Sequence, residues 1–160
     1  MPTLVALALV AYFVSKEELS LDDLIHRAAQ FLESSFPNEV GNAISCNSLS
    51  AIDGDTVKCD GVNMRAMGPG SPHLSGFDTP EITRPKCEHE LELGRAAKAR
   101  MQELLETPGV QIRVSGEIDS PRYKRPLVWI KLPDGRTAGE ILIEEGHARF
   151  WTPEYRANWC

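Results

Sequence analysis

Residues 88–132 read EHELELGRAAKARMQELLETPGVQIRVSGEIDSPRYKRPLVWIKL, and this stretch decides the fold. Its first part has helical periodicity: Leu93, Ala97, Met101, Leu104 and Leu105 fall on one face over residues 88–106. Glu88, Glu90 and Glu92 sit where the positive end of the helix dipole favours carboxylates. Pro108-Gly109 stops the helix. The period then changes from helical to alternating. Val110, Ile112 and Val114 predict one strand, and Leu127 to Leu132, with Val128 and Ile130 on one face, predicts another.

The same punctuation extends outward on both sides. Downstream, Asp134-Gly135 makes a turn, and residues 139–147 read as a short helix carrying Ile141, Leu142 and Ile143 and ended by Gly146. Upstream, from about Ala43, short runs holding Ile52, Val57 and Cys59 are broken by Asp53-Gly54 and Asp60-Gly61, which turn one strand into the next. A Gly/Pro loop, GPGSP at 68–72, leads to a short strand around Phe77 that Pro80 ends. The order strands, helix, strands, helix predicts an α+β domain: a small curled antiparallel sheet with helices packed on it.

The whole chain has 160 residues, 42% apolar and 25% charged, with a formal net charge of −6. That is enough chain for one domain and a short appendage, with a core that needs no metal or disulfide to hold it. The composition excludes collagen-like, coiled-coil and wholly disordered classes. A pI near 5.2 argues against a passive nucleic-acid coat, which needs broad positive charge, but not against an enzyme with a locally cationic site. Residues 1–50 hold only two basic side chains, Lys16 and Arg27, against six acidic ones, so the negative excess is concentrated there.

Leu4 to Val14 is a run of eleven apolar residues, short of the roughly 20 that span a bilayer. Its length suits a secretory signal or a membrane-anchor remnant, yet no Lys or Arg precedes it and no small-residue cleavage site closely follows. A strand or helix packed on the domain is the competing reading. Ser20 and Asp23 then resemble an N-cap pair for an amphipathic helix bearing Leu21, Leu24, Ile25, Ala28, Phe31 and Leu32 and ended by Pro37 and Gly41. The expected boundaries are 1–41 for this extension, 42–152 for the main domain and 153–160 for a tail.

Four cysteines, Cys46, Cys59, Cys87 and Cys160, form no C-x-x-C pair, which argues against zinc. An even count suits two disulfides in an oxidising, extracytoplasmic setting, with three pairings open. A Cys87–Cys160 bond would pin a tail that otherwise frays.

Four acids, Asp53, Asp55, Asp78 and Glu81, lie near turns, and carboxylates of this kind suit hard cations such as Ca²⁺ or Mg²⁺. The spacing is not that of an EF-hand loop, and an Asp-Gly turn alone would account for the first pair. Arg122-Tyr123-Lys124-Arg125 is a basic cluster with an aromatic ring, which suits phosphate neutralisation and base stacking. Together, acids and arginines are the parts for metal-assisted phosphodiester hydrolysis.

These pieces resemble the staphylococcal nuclease (thermonuclease) family: AIDGDTVKC at 51–59, GFDTPE at 76–81, ELGRAAKARMQELL at 92–105, RYKRPLVWI at 122–130 and GEILIEEGHAR at 139–149. The resemblance implies a five-stranded OB-fold β-barrel with about three packed helices, here with an N-terminal helical extension. It implies Ca²⁺-dependent cleavage of DNA or RNA that leaves 3′-phosphate ends. It assigns Asp55 and Asp78 as metal carboxylates, with Thr79 lending its carbonyl. It makes Glu81 the residue that activates or orients water, Arg125 a phosphate-binding arginine, and Tyr123, with Lys124 beside it, a substrate contact. Asp53 matches an acid near the metal.

The other arginine is ambiguous in register. Counting forward ten residues from Asp55 gives Arg65, whereas counting back five from Asp78 gives His73. About eight extra residues, near 69–76, separate the two counts. Arg65 is preferred, because NMRAM reads as a strand and a guanidinium grips phosphate bidentately. Pro126 also departs from the family, which carries a small residue there. A nuclease-like binding module without efficient turnover is the alternative function. A monomer is expected, with membrane association through the apolar N-terminus as a further expectation.

Overall fold

A computed structural model describes residues 41–160. The expected apolar segment and amphipathic helix of residues 4–36 lie outside the described residues. Val40–Cys160 forms one compact unit.

Eight strands and two helices follow in the order β1 (Asn42–Ile44), β2 (Leu49–Ala51), β3 (Thr56–Cys59), β4 (Val62–Met67), β5 (Gly76–Asp78), α1 (Glu88–Leu105), β6 (Gln111–Ile118), β7 (Pro126–Lys131), α2 (Ala138–Glu144) and β8 (Arg149–Trp151). Six strands form one sheet in the order β1-β6-β7-β4-β3-β2, and β5 pairs with β8 in a second. The β4–β7 pair is parallel, and the other pairings are antiparallel. The architecture is α+β, as expected, but the expected strand and helix counts are corrected. The main sheet has six strands instead of five, because the short β1 adds outside β6. The described residues hold two helices instead of about three.

Local chemistry explains the elements. The β3–β4 hairpin turns through Asp60 (φ 47°) and Gly61 (φ 88°), both in the left-handed region that a two-residue hairpin requires. The Asp60 carboxylate then accepts from the backbone N–H groups of Ser48 and Asn47. Helix α1 is capped by Cys87, whose sulfur accepts from the Glu90 N–H, and it buries Gly94, Ala97, Met101, Leu104 and Leu105. Helix α2 begins with a reciprocal capping box between Thr137 and Glu140.

Strand β7 is buried on both faces. Val128 and Ile130 join the main core with Val57, Phe77, Met101 and Leu142, while Leu127 and Trp129 pack with Met67 on the other side. Pro126 opens this strand, where a missing N–H costs least. Gly94 lets α1 approach the site loop, since a Cβ there would stand 2.8 Å from the Pro80 carbonyl oxygen. Two disulfides, Cys46–Cys59 and Cys87–Cys160, complete the unit, the second being the pairing considered from sequence.

Candidate functional site at the β3–β4–β5 junction

The site begins at the turn into β3. The Asp53 carboxylate caps that turn by accepting from the N–H groups of Asp55 (3.0 Å) and Thr56 (2.7 Å). Gly54 allows the turn to press on its neighbours, because a Cβ there would meet Thr79 at 2.7 Å and Ala97 at 2.8 Å. Asp55 is thereby driven inward and is only 5% exposed.

Asp55 is the hub. Its Oδ1 receives Arg65 Nη1 at 2.7 Å and the Thr56 hydroxyl at 3.2 Å, and its Oδ2 receives the Thr79 N–H at 3.4 Å. Sheet register explains the first contact. Arg65 stands opposite Thr56 in the β3–β4 ladder, and the Ala66 N–H donates to the Asp55 carbonyl. Arg65 Nη2 also donates to the Phe77 carbonyl at 2.9 Å, which joins β4 to β5.

Asp78 ends β5, and Thr79-Pro80-Glu81 runs from it toward α1. Burial raises the Asp78 pKa, the Trp159 indole N–H lowers it, and the Asp55 carboxylate raises it. Glu81 faces solvent on one side, and partial burial followed by repulsion from Asp55 and Asp78 raises its pKa, with Arg65 opposing. Burial, then the Asp55 charge, raises Asp53 to about 6. These carboxyls share one field that a cation would relieve.

Arg125 arrives from the loop before β7. Its Nε is bound to Asp119 Oδ2 at 2.7 Å and its Nη1 donates to the Thr56 hydroxyl at 2.8 Å. Two guanidinium groups stand over the Tyr123 ring, Arg122 at 5.2 Å and Arg125 at 5.3 Å from its centroid. Arg65, Arg125 and Tyr123 line a cavity of about 280 Å³ together with Phe77, Leu127 and Trp151. Lys124 adopts a left-handed backbone (φ 53°) and stands outside that cavity's lining.

The structure therefore joins Arg65 and Thr79 to Asp55 directly and Arg125 to it through Thr56, while Asp78 and Glu81 lie close enough to feel the Asp55 and Arg65 charges. His73 lies on the rim of the cavity, exposed and 3.9 Å from Glu117, without contact to the acids. Sequence reasoning missed three participants. Asp119 and Thr56 hold Arg125, and Trp159 donates to Asp78 Oδ2 at 3.1 Å. Asp119 had a local signal, since Asp-Ser-Pro opens a turn and the carboxylate accepts from the N–H groups of Ser120 and Arg125. Trp159 had none, because it lies 81 positions from its partner.

Among the described residues, no three His, Cys, Asp or Glu side chains form a ready metal ligand set, and no helix is long and apolar enough to cross a membrane. A family model described as "Staphylococcal nuclease homologue" matches residues 73–158, over half of the chain. That span contains Asp78, Glu81 and Arg125, whereas Asp55 and Arg65 precede it and join the site through sheet register. A comparison with curated proteins finds no match.

Proposed function

The chain belongs to the staphylococcal nuclease homologue family, and from that premise we propose that it is a Ca²⁺-dependent nuclease that hydrolyses DNA or RNA phosphodiesters and leaves 3′-phosphate ends. One observation carries this reading. Two arginines, Arg65 on β4 and Arg125 in the loop before the neighbouring β7, flank a single Asp55-Thr56 pair, Arg65 on Asp55 and Arg125 on Thr56, and both face the same cavity.

The residues fit a hard divalent cation. The donors are all oxygen, and the pKa values of Asp78 and Glu81 are raised by burial and then by the Asp55 carboxylate, with Asp78 adding to the effect on Glu81, so added positive charge is favoured there. Asp55 and Asp78, with the Thr79 carbonyl, would hold it. When bound, such an ion polarises a phosphoryl oxygen and orients the attacking water.

The remaining work belongs to the chain. Arg65 and Arg125 grip non-bridging phosphate oxygens and stabilise the charge that builds on them. Both guanidinium groups are already fixed by protein oxygens, so little reorganisation remains at the moment of reaction. Glu81 accepts the proton of the attacking water, and its raised pKa makes it a stronger base than an ordinary glutamate. The P–O5′ bond breaks, the phosphate stays on the 3′ side, and the 5′-oxygen takes a proton from solvent. Tyr123 offers its ring to a base, with Lys124 beside it supplying charge to the backbone. A monomer suffices, because every named group comes from one chain. The two disulfides support an extracytoplasmic setting.

The test is digestion of single-stranded DNA, plasmid and RNA with Ca²⁺ and with chelator, followed by end-group analysis. Cleavage with Ca²⁺ to 3′-phosphate ends, and none with chelator, is expected. Tight binding without cleavage of any substrate would favour a non-catalytic binding module instead.

A further inference from the structure

Resting on the nuclease reading above, we propose that Trp159 is a positioning residue for Asp78: its indole N–H fixes the carboxylate, and the Cys87–Cys160 disulfide holds the indole in place.

Several independent contacts converge on this arrangement. Trp159 is 5% exposed although it is the penultimate residue of the sequence. Its Nε1 donates to Asp78 Oδ2 at 3.1 Å. The Arg149 guanidinium lies over the indole ring at 4.1 Å, and its Nη1 donates to the Asn158 carbonyl at 2.7 Å. Arg149 is also the strand partner of Asp78 in the β5–β8 ladder. The residue opposite Asp78 thus clamps the residue that hydrogen-bonds to it.

The next residue, Cys160, is bonded to Cys87, which caps α1. That helix packs through Gly94 on Pro80, two residues after Asp78. The strap is therefore anchored to β8, the partner of the strand that ends in Asp78, and to the start of α1, the helix that packs on the Pro80-Glu81 loop.

The chemistry suits a positioning role. An indole N–H is a donor only, so it can bond the ionised carboxylate in one sense and cannot reverse. It holds one oxygen of Asp78 and sets the plane in which the carboxylate faces a cation. Partners of this kind, one step removed from a metal, typically change metal affinity about 10- to 100-fold when lost.

The experiment uses the full oxidised chain. Calorimetric Ca²⁺ titration compares wild type with Trp159→Phe, which keeps the ring and deletes the N–H, and with Cys160→Ser. Both variants are expected to bind Ca²⁺ about 10- to 100-fold more weakly. In the wild type, the Trp159 indole N–H resonance should shift on adding Ca²⁺, while that of Trp129, bonded to the Gly70 carbonyl, serves as a control. Unchanged affinity in Trp159→Phe overturns the positioning role, and unchanged affinity in Cys160→Ser overturns the part given to the disulfide. If Trp159→Phe does not fold, the wild-type resonance decides, and an unmoved signal overturns the proposal. Wild type that neither binds Ca²⁺ nor cleaves removes the nuclease reading and this role together. Wild type that does both, beside an unchanged Trp159→Phe, removes this role alone.

Discussion

Asp119 holds Arg125 twice: its Oδ2 takes the guanidinium Nε at 2.7 Å, and its Oδ1 takes the backbone N–H of the same residue at 2.9 Å. The arginine is thus fixed at both ends by a carboxylate six positions earlier. Asp119→Asn keeps an acceptor for the backbone but loses the charge. It should lower kcat on single-stranded DNA about tenfold, less than the roughly 10²–10³-fold expected for Arg125→Ala. Steady-state kinetics on both variants check the ranking, and equal losses would remove the distinction between holding and acting.

Arg65 and His73 compete for one role by sequence counting but occupy different places. Arg65 bonds Asp55 and the Phe77 carbonyl, and His73 faces Glu117 on the rim. Arg65→Ala should cost about 10²–10³ in kcat. His73→Ala should stay within a few-fold of wild type. The reverse order would move the phosphate clamp to the loop.

Glu81→Gln is nearly isosteric and cannot accept the proton. Among the described residues its side chain has no hydrogen-bond partner, so the melting temperature should hold while kcat falls by about 10²–10⁴. A variant with wild-type turnover would take the proton-accepting role from Glu81.

Arg100 joins α1 to the end of α2 through a two-pronged contact with Glu145, at 2.7 and 2.8 Å. The hydrogen bonds from Arg100 hold the Glu145 carboxyl below its ordinary value of 4.5. A lowered carboxylate stabilises the fold above the unfolded value and loses that contribution as pH falls through the folded one. The pair is largely solvated, so Arg100→Gln should cost only about 0.5–1 kcal/mol at pH 7. Urea midpoints of the two proteins should converge as pH is lowered from the ordinary Glu145 value of 4.5 through its depressed folded one.

Cys46–Cys59 closes a loop of sequence separation 13 around β2 and its turn into β3. Removing it as a double Ser variant should cost about 3 kcal/mol, chiefly by freeing the unfolded chain. Thermal unfolding measures the loss. Activity at temperatures well below the transition should remain, since Cys59 pairs with Val62 at the turn end of the β3–β4 ladder and Arg65 with Thr56 at the other.

What the sequence made legible follows from the range of the interactions. Helix α1, the Asp-Gly turns and strands β6 and β7 were readable because their determinants lie within a few residues: face periodicity, a Pro-Gly stop, an alternating run. The acids and arginines were readable because a resemblance supplied their order, and the β3–β4 register then placed Arg65 beside Asp55. The extra strand β1 was not, since three residues, NAI, with a largely exposed pattern carry no periodic signal and pair only because β6 offers an edge. Trp159 falls within the 153–160 tail. Its role depends on a disulfide partner and a strand partner that no local pattern reveals.

The connector between β4 and β5 is tied lightly: Trp129 Nε1 reaches the Gly70 carbonyl at 3.3 Å, Ser71 bonds Ser75, and Leu74 is 70% exposed. Its two ends are set elsewhere, β4 by β3 and β7, β5 by β8. Doubling such a connector costs only about 0.6 kcal/mol of closure entropy. This is the molecule's permissive splice point, where evolution or an engineer can lengthen the rim of the cavity while the floor beneath keeps its shape.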